Sequence, residues 1–143
     1  MQDHEHTQTT RRHQYRYLFT AKDHGGGKGT AEWILSEPEE FAVFDGADEM
    51  ELSEEAGNLY GALRDGADSL RILGSFQEQI AEFPCTPVGT PWHGYPMWAI
   101  NPDGPSNRRN PRHRPARVVL NKMVEVGLIT LNMRARLLKG EHV

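Results

Sequence analysis

The residues best suited to chemistry in this chain are Cys85 and His93, which stand eight positions apart in a proline-rich stretch. A histidine close to a cysteine can hold the thiol as a thiolate, which is the form that acts as a nucleophile. Eight positions along a loop do not establish contact, and the sequence identifies no carboxylate that would orient His93. A small enzyme that uses His93 is therefore the weakest of three functional hypotheses, and no catalytic residue is assigned.

Two further chemical patterns, a metal site and a phosphate-binding loop, are not met by the sequence. The seven histidines and the single cysteine show no paired spacing of the CxxC or HExxH kind, so we predict no metal site and no cofactor. The loop from Lys22 to Thr30 contains Gly27 and Lys28, but Gly29 separates the lysine from the threonine and the register of a Walker loop is lost. We expect a hairpin connection there, without nucleotide hydrolysis.

The most unusual stretch runs from Pro84 to Trp98 and combines four prolines with large aromatic residues. Proline fixes the backbone in extended or turn conformations and removes an amide donor, so we predict an ordered loop that is neither a helix nor a central strand. Two interpretations stay open for its aromatic residues: they cap the core, or they form a rigid surface that binds a partner. The candidate binding residues of this stretch are Trp92, His93, Tyr95 and Trp98.

Charge is distributed unevenly along the chain, although the formal net charge is only −4. Between Glu32 and Glu82 there are 14 acidic and two basic residues, whereas between Pro105 and Val143 nine basic residues stand against two acidic ones. We favour a basic end that folds onto an acidic surface of the same chain or of a second copy. The alternative is that it binds an external polyanion such as nucleic acid.

The basic end comprises a proline- and arginine-rich linker over residues 101–114 and a predicted helical hairpin over residues 115–140. Gly127 suits the turn, and Thr130 suits the cap of the second helix. The hairpin resembles a helix-turn-helix, but Met123 replaces the usual small residue and Arg136 a usual aliphatic one, which favours a plain helical hairpin. The candidate nucleic-acid-binding residues are Arg108, Arg109, Arg112, Arg114, Arg136 and Lys139.

Local patterns predict the remaining elements. Alternating aromatic residues predict a strand over residues 14–21. Serine followed three residues later by glutamate predicts two capped helices, one over residues 37–44 that Gly46 ends and one over residues 75–83. Residues 41–44 would equally suit a buried strand, and a further helix is expected after Ser53. In the hairpin, the residues expected to face inward are Ala116, Val119, Leu120, Met123, Val126, Leu131, Met133, Leu137 and Leu138.

The predicted architecture is a single α+β domain. It has a small N-terminal antiparallel sheet, short helices, an ordered aromatic loop and a C-terminal helical hairpin. The domain is expected to cover residues 14–143, after a flexible tail over residues 1–13. A chain of 143 residues has the usual length of one domain.

We expect a small binding protein without catalytic activity. In the first hypothesis it engages a protein partner, or a second copy of itself in a homodimer, through the aromatic loop and the acidic surface near residues 45–55. In the alternative it binds nucleic acid through the basic end. The lone cysteine and the polar N-terminus favour the cytoplasm, and no apolar run approaches the length of about 20 residues that crosses a bilayer, so no membrane partner is expected.

Overall fold

The computed structural model describes residues 6–19, 32–75, 77–99, 117–139 and 141–143. Within these residues the chain forms a small α+β fold, as the sequence predicts, with two antiparallel sheets and three helices. The strands are β1 (Thr7–Thr9), β2 (Arg16–Leu18), β3 (Leu59–Gly61), β4 (Glu78–Phe83) and β5 (Tyr95–Ala99). The helices are α1 (Glu37–Glu49), α2 (Arg117–Glu125) and α3 (Leu131–Leu138). The glycine-rich connection and the linker 101–114 lie outside the described residues.

The N-terminal sheet is the hairpin of β1 and β2, in which Thr7 pairs with Leu18. Strand β2 falls within the predicted strand 14–21, and the aromatic alternation places Tyr17 and Phe19 in the core, at 1% and 6% exposure. Strand β1 lies in the segment that the sequence assigns to a tail. Its threonine and glutamine residues carry no apolar pattern that would indicate a strand.

Helix α1 begins with the predicted capping box. The Ser36 hydroxyl accepts a hydrogen bond from the Glu39 amide, and the Glu39 carboxylate accepts one from the Ser36 amide. The helix continues for three residues beyond Gly46, so the prediction that Gly46 ends it is wrong. Phe44 and Ala47, on either side of the glycine, are fully buried. Their packing outweighs the roughly 1 kcal/mol by which a glycine weakens a helix.

The second sheet has the strand order β3–β4–β5, and both neighbouring pairs are antiparallel. Its first two strands replace the two helices predicted between residues 53 and 83, so both predictions are wrong. Gly57, with a φ of +92°, and Gln77, with a φ of +71°, interrupt helical backbone before each strand. Gly61 lies so close to α1 that a Cβ there would stand 2.7 Å from the Val43 carbonyl oxygen. Long-range contacts thus override the local helical patterns.

Strand β5 corrects the expectation that the whole stretch from Pro84 to Trp98 is a loop. Residues 84–94 form the loop, but residues 95–99 pair with β4 along one edge of the sheet. Pro96 is accepted there because an edge strand leaves one side of its backbone without a neighbouring strand. The stretch is therefore a loop that leads into an edge strand.

The three-stranded sheet separates two clusters of buried side chains. The aromatic cluster joins α1, β2 and the proline-rich loop to Ala81 and Phe83 of the sheet. The hairpin cluster joins α2 and α3 to Ile80 and Met97 on the other face. Successive residues of a strand point to opposite faces, so β4 contributes to both clusters, and five of its six residues are buried.

The C-terminal helices form the predicted hairpin. Their turn contains Gly127, whose φ is +81°. Thr130 caps α3 as predicted, because its hydroxyl accepts a hydrogen bond from the Met133 amide at 3.0 Å. The predicted inward residues that are buried are Val119, Leu120, Met123, Met133 and Leu137.

Two residues of the hairpin that were expected to face inward are exposed, Val126 at 39% and Leu131 at 69%. Val126 belongs to the turn after α2. Leu131 stands two positions before the buried Met133, about 200° around the helix from it, and therefore lies on the opposite face. Leu138 is partly buried, and Ala116 lies outside the described residues.

Candidate functional site: the proline-rich loop and its cleft

Hydrogen bonds at both ends fix the loop over residues 84–94 to the rest of the fold. The Trp92 amide donates to the Arg16 carbonyl, and the Leu18 amide donates to the Trp92 carbonyl, each at 2.8 Å. Trp92 thereby forms a parallel bridge beside β2. At the start of the loop, the Cys85 amide donates to Asn58 Oδ1 at 2.9 Å.

Trp92, one of the predicted binding residues, packs into the aromatic cluster. Its side chain is 5% exposed, and its ring centroid lies 4.9 Å from that of Tyr15 and 5.8 Å from that of Phe44. Just after it, the Gly94 carbonyl accepts a hydrogen bond from the Trp33 indole at 3.0 Å. These are the contacts of a residue that closes a core and leaves only a small part of its surface for a ligand.

Residues 86–90, which we call the loop tip, form a tight turn. The Thr90 amide donates to the Pro87 carbonyl at 3.0 Å, and Gly89 has a φ of +88°. This combination is typical of a type II turn, in which the third residue takes a positive φ. Val88 occupies the position before that glycine, and its side chain is fully exposed.

Tyr95, a second predicted binding residue, is partly buried and hydrogen bonded. Its hydroxyl donates to Glu82 Oε1 at 2.6 Å, and burial together with this carboxylate raises the pKa of Tyr95. The Tyr60 hydroxyl lies 3.1 Å from Glu54 Oε2 and 3.3 Å from Glu82 Oε2, and burial with both carboxylates raises the pKa of Tyr60. Both phenols keep their protons and link the three strands of the sheet.

His93, Cys85 and Trp98 complete the residues that the sequence singles out in this stretch. The side chains of His93 and Cys85 are exposed, and Cys85 Sγ lies 3.8 Å from the carbonyl oxygen of the next residue, Thr86. The Trp98 backbone pairs with that of Ile80 in the sheet. Within the described residues, no three histidine, cysteine, aspartate or glutamate side chains gather into a group that could hold a metal ion.

The end of α1 carries a dense group of carboxylates that two arginines hold. The four carboxylates are those of Asp45, Asp48, Glu49 and Glu51. Negative charge is unfavourable there because the carbonyl end of a helix is itself negative. Arg11 forms ion pairs with Asp45 and Glu49. Arg12 donates to the Asp48 carbonyl at 2.6 Å and lies 3.3 Å from the Glu51 carboxylate.

Asp48 is the least satisfied of these carboxylates. Its side chain is 3% exposed, and Oδ2 has no hydrogen-bond partner among the described residues. Arg12 Nη1 stands 3.9 Å from Oδ1. Burial is the main cause that raises the pKa of Asp48; Asp45 and Glu49 also raise it, whereas the Thr10 hydrogen bond and Arg12 lower it. An unpartnered buried acceptor is rare in folded proteins, so the Asp48 carboxylate requires an explanation.

Asp48 lines a cleft of about 400 Å³ between the β1–β2 turn, the end of α1 and the proline-rich loop. We call it the loop cleft, and the residues that give it chemical character are Arg12, Tyr15, Asp48, Glu51, Cys85 and Trp92. A second hollow, of about 250 Å³, is lined by the loop tip and shares Gln14, Tyr15, Cys85 and Trp92 with the cleft. The loop tip thus borders a concave surface with aromatic and charged walls.

The predicted nucleic-acid-binding residues fall partly outside the described residues. Those outside are Arg108, Arg109, Arg112 and Arg114. The Arg136 guanidinium is engaged, because Nη2 donates to the His142 carbonyl at 2.5 Å and Nε lies 3.5 Å from the Glu141 carboxylate. Lys139 is exposed. The structure therefore places Arg136 and Lys139 together near the C-terminal end of α3.

Sequence reasoning did not single out Arg12, Asp48 or Val88. A signal for the first two exists, because four acidic residues near the end of a capped helix that has no basic residue in its last turn require a cation from elsewhere. The Arg11-Arg12 pair supplies it from the N-terminal hairpin. No comparable signal exists for Val88, since a valine in a proline-rich loop can face either the core or the solvent.

No helix within the described residues is long and apolar enough to cross a membrane. No protein-family model, curated protein or solved structure matches the chain. The chain's own residues must therefore carry any functional conclusion.

Proposed function

We propose that the chain is a non-catalytic binding protein of the cytoplasm that engages a protein partner through the loop tip and the loop cleft. The observation that carries the proposal is Val88, fully exposed on an anchored turn. A single exposed valine is common on protein surfaces. Val88 differs because its turn is held on several sides and stands beside a concave surface that a partner segment could enter.

The loop tip is already in the shape in which it would bind. The Thr86 hydroxyl donates to the Thr90 carbonyl at 3.1 Å, and Arg16 donates to the Gly89 carbonyl at 3.0 Å. Pro87 fixes its own φ. Ordering a flexible side chain on binding costs about 0.5–1.5 kcal/mol, so a preformed turn retains more of its contact energy as affinity.

Trp92 and Tyr95 have supporting roles in this proposal. Trp92 anchors the loop against β2 and contributes a wall of the cleft, and Tyr95 ties the following strand to Glu82. The side chains that would meet the partner are therefore those of Val88 and of the other exposed residues of the loop, including His93. This arrangement places a rigid aromatic support behind an exposed apolar contact.

The replacement Val88→Asp tests the proposal, with Leu131→Asp as its matched control. Leu131 is also an exposed aliphatic residue, at 69%, but lies at the start of α3, where an aspartate suits the helix dipole. Proteins retained by the immobilised parent chain would be identified and purified. Each would then be titrated against the parent chain, Val88→Asp and Leu131→Asp. We expect Val88→Asp to weaken the interaction about tenfold or more at an unchanged melting temperature, and Leu131→Asp to bind as the parent chain does. Equal affinity of all three chains would contradict the proposal.

Nucleic-acid binding by the basic end is the alternative, and the exposed Lys139 beside Arg136 is what favours it. Fluorescence anisotropy of labelled duplex DNA and RNA at low and physiological salt tests it. Affinity that falls steeply with salt and weakens in Lys139→Gln would support this alternative, since phosphate contacts release counterions. No binding at low salt would reject it.

A further inference from the structure

We propose that the loop cleft binds the guanidinium group of an arginine side chain that the protein partner supplies. The inference rests on the proposed function and adds the chemistry of the partner, a segment with an arginine that enters beside the loop tip. Three observations carry it: a cleft of about 400 Å³, a buried acceptor without a partner, and an excess of carboxylates over arginines.

Asp48 Oδ2 is the recognition atom. It is buried and has no hydrogen-bond partner among the described residues, and Asp48, whose side chain is 3% exposed, is one of the residues that line the cleft. A buried carboxylate oxygen without a donor is unfavourable, because its hydration is lost and nothing replaces it. A guanidinium N–H would satisfy it with a charge-assisted hydrogen bond, which is stronger than one between neutral groups.

The charge around the cleft favours a cation. Among the described residues, the ion pairs that Arg11 and Arg12 form with the four carboxylates at the end of α1 leave two negative charges without a matching positive one. Arg12 is held by the Asp48 carbonyl and by Glu51, which is 65% exposed at the rim. An anionic ligand would meet uncompensated carboxylates here, whereas a cation from the partner would complete the set.

The walls of the cleft favour arginine among cationic side chains. Tyr15 and Trp92 line it on the side of the proline-rich loop. A guanidinium is planar, is less strongly hydrated than an ammonium and packs on aromatic surfaces, and its aliphatic stem can lie along them. Tyr15 and Trp92 also line the hollow beside the loop tip, so one partner segment could contact both Val88 and the cleft.

Cys85 makes occupancy of the cleft measurable, because it is the single cysteine of the chain and lines the cleft while remaining exposed. The rate of its reaction with a fluorescent maleimide would be measured on the full chain with three probes. They are acetyl-Gly-Arg-Gly-amide, the same peptide with citrulline in place of arginine, and methylguanidinium. Citrulline keeps the shape of arginine without its charge, so it is the matched control for recognition by Asp48.

We expect the arginine peptide to slow the labelling of Cys85 at a concentration at least about tenfold lower than the citrulline peptide or methylguanidinium requires. The advantage of arginine should disappear in Asp48→Asn. It should persist in Glu125→Gln, which removes an exposed carboxylate on α2 that does not line the cleft.

Several results would overturn the inference: no protection of Cys85 by the arginine peptide, equal protection by the citrulline peptide, or undiminished protection in folded Asp48→Asn. If Asp48→Asn does not fold, the comparison of the arginine peptide with the citrulline peptide on the parent chain still tests whether the cleft recognises a guanidinium. Equal protection by methylguanidinium would assign the cleft to a free guanidinium compound. A variant in which glutamine replaces Arg108, Arg109, Arg112 and Arg114 tests a further alternative. If Cys85 in this variant is labelled faster than in the parent chain without any probe, the cleft is assigned to the chain's own arginines.

The two proposals fail in different ways. A purified partner that binds the parent chain and Asp48→Asn equally, but not Val88→Asp, would reject the arginine inference and leave the proposed function standing. Protection of Cys85 by the arginine peptide, with no effect of Val88→Asp on a partner, would reject the loop tip as the contact and leave the cleft as an arginine site.

Discussion

The two faces of the three-stranded sheet are assembled differently. On the hairpin face, α2 and α3 follow each other along the chain and are joined by a short turn that contains Gly127. On the aromatic face, Tyr17, Phe44, Phe83 and Trp92 come from four separated segments, and their rings meet at centroid distances of 5.0–5.8 Å. The first face is built from local contacts and the second from distant ones. The loop tip and the loop cleft belong to the second.

The largest losses of stability are expected when one core residue on each face is truncated, with Phe44→Ala on the aromatic face and Leu137→Ala on the hairpin face. Both side chains are buried, at 0% and 1% exposure. We expect urea denaturation to show a loss of about 3–5 kcal/mol for the first and 2–5 kcal/mol for the second. Phe44 packs against Trp92, so Phe44→Ala should also speed the labelling of Cys85. Equal labelling rates in the two variants would contradict the link between this cluster and the loop.

A second comparison uses one glycine on each side, replaced by alanine. A Cβ at Gly94 would stand 2.2 Å from Phe83 Cδ1 and 2.5 Å from the Glu82 carbonyl oxygen, so we expect a loss of about 3 kcal/mol. At Gly127 no atom of the described residues, apart from the glycine and its two chain neighbours, lies within 4 Å of such a Cβ, and only the positive φ opposes alanine, at about 1 kcal/mol. Thermal denaturation measures both. If Gly127→Ala loses as much stability as Gly94→Ala, overpacking is not the main cause of the loss at Gly94.

The smallest effect is expected at the border of the aromatic face, for Asp48→Asn. The raised pKa of Asp48 means that the folded chain holds this proton to a higher pH than the unfolded chain does. The stability that the group contributes is therefore present at low pH and is lost as the pH rises through the folded pKa. Asparagine does not ionise, so we expect the variant to be more stable at neutral pH by about 1 kcal/mol.

The pH dependence distinguishes the stability gain of Asp48→Asn from the contributions of other carboxylates. The pKa of Glu39 is lowered, mainly by its hydrogen bond with Arg71, so its contribution has the opposite sign and is lost as the pH falls. The contribution of Glu39 is the same in the parent chain and in Asp48→Asn, so it cancels when their free energies of unfolding are subtracted. The gain from Asp48→Asn should therefore shrink as the pH is lowered toward the ordinary range of an aspartate. A gain that is constant with pH would contradict burial of a charged Asp48.

The same contrast explains which parts of the fold could be predicted from the sequence. The helical hairpin was predicted because its signals are local, with Gly127 at the turn and Thr130 at the cap. Strands β3 and β4 were not, because the Ser53 and Ser75 patterns match helix starts. The contact between Gly61 and Val43 that draws β3 against α1 joins residues 18 positions apart.

The candidate site was predictable only as a region. Four prolines indicated the ordered loop, but whether Trp92 faces solvent depends on Tyr15 and Phe44, which lie far away along the chain. The role of Asp48 depends on Arg12, from which 36 positions separate it. Residue types thus located the surface, and the long-range packing of the aromatic face decided which of its atoms are exposed or without a partner.

Strand β4 connects the stability of the loop cleft to that of the opposite side of the sheet. Because its two faces belong to different clusters, neither cluster can open without exposing half of this strand, and the described fold should unfold as one cooperative unit. A ligand that binds only the folded chain stabilises the whole of such a unit by mass action. Occupancy of the loop cleft would therefore slow amide hydrogen exchange in α2 and α3, on the far side of the sheet, through global opening alone.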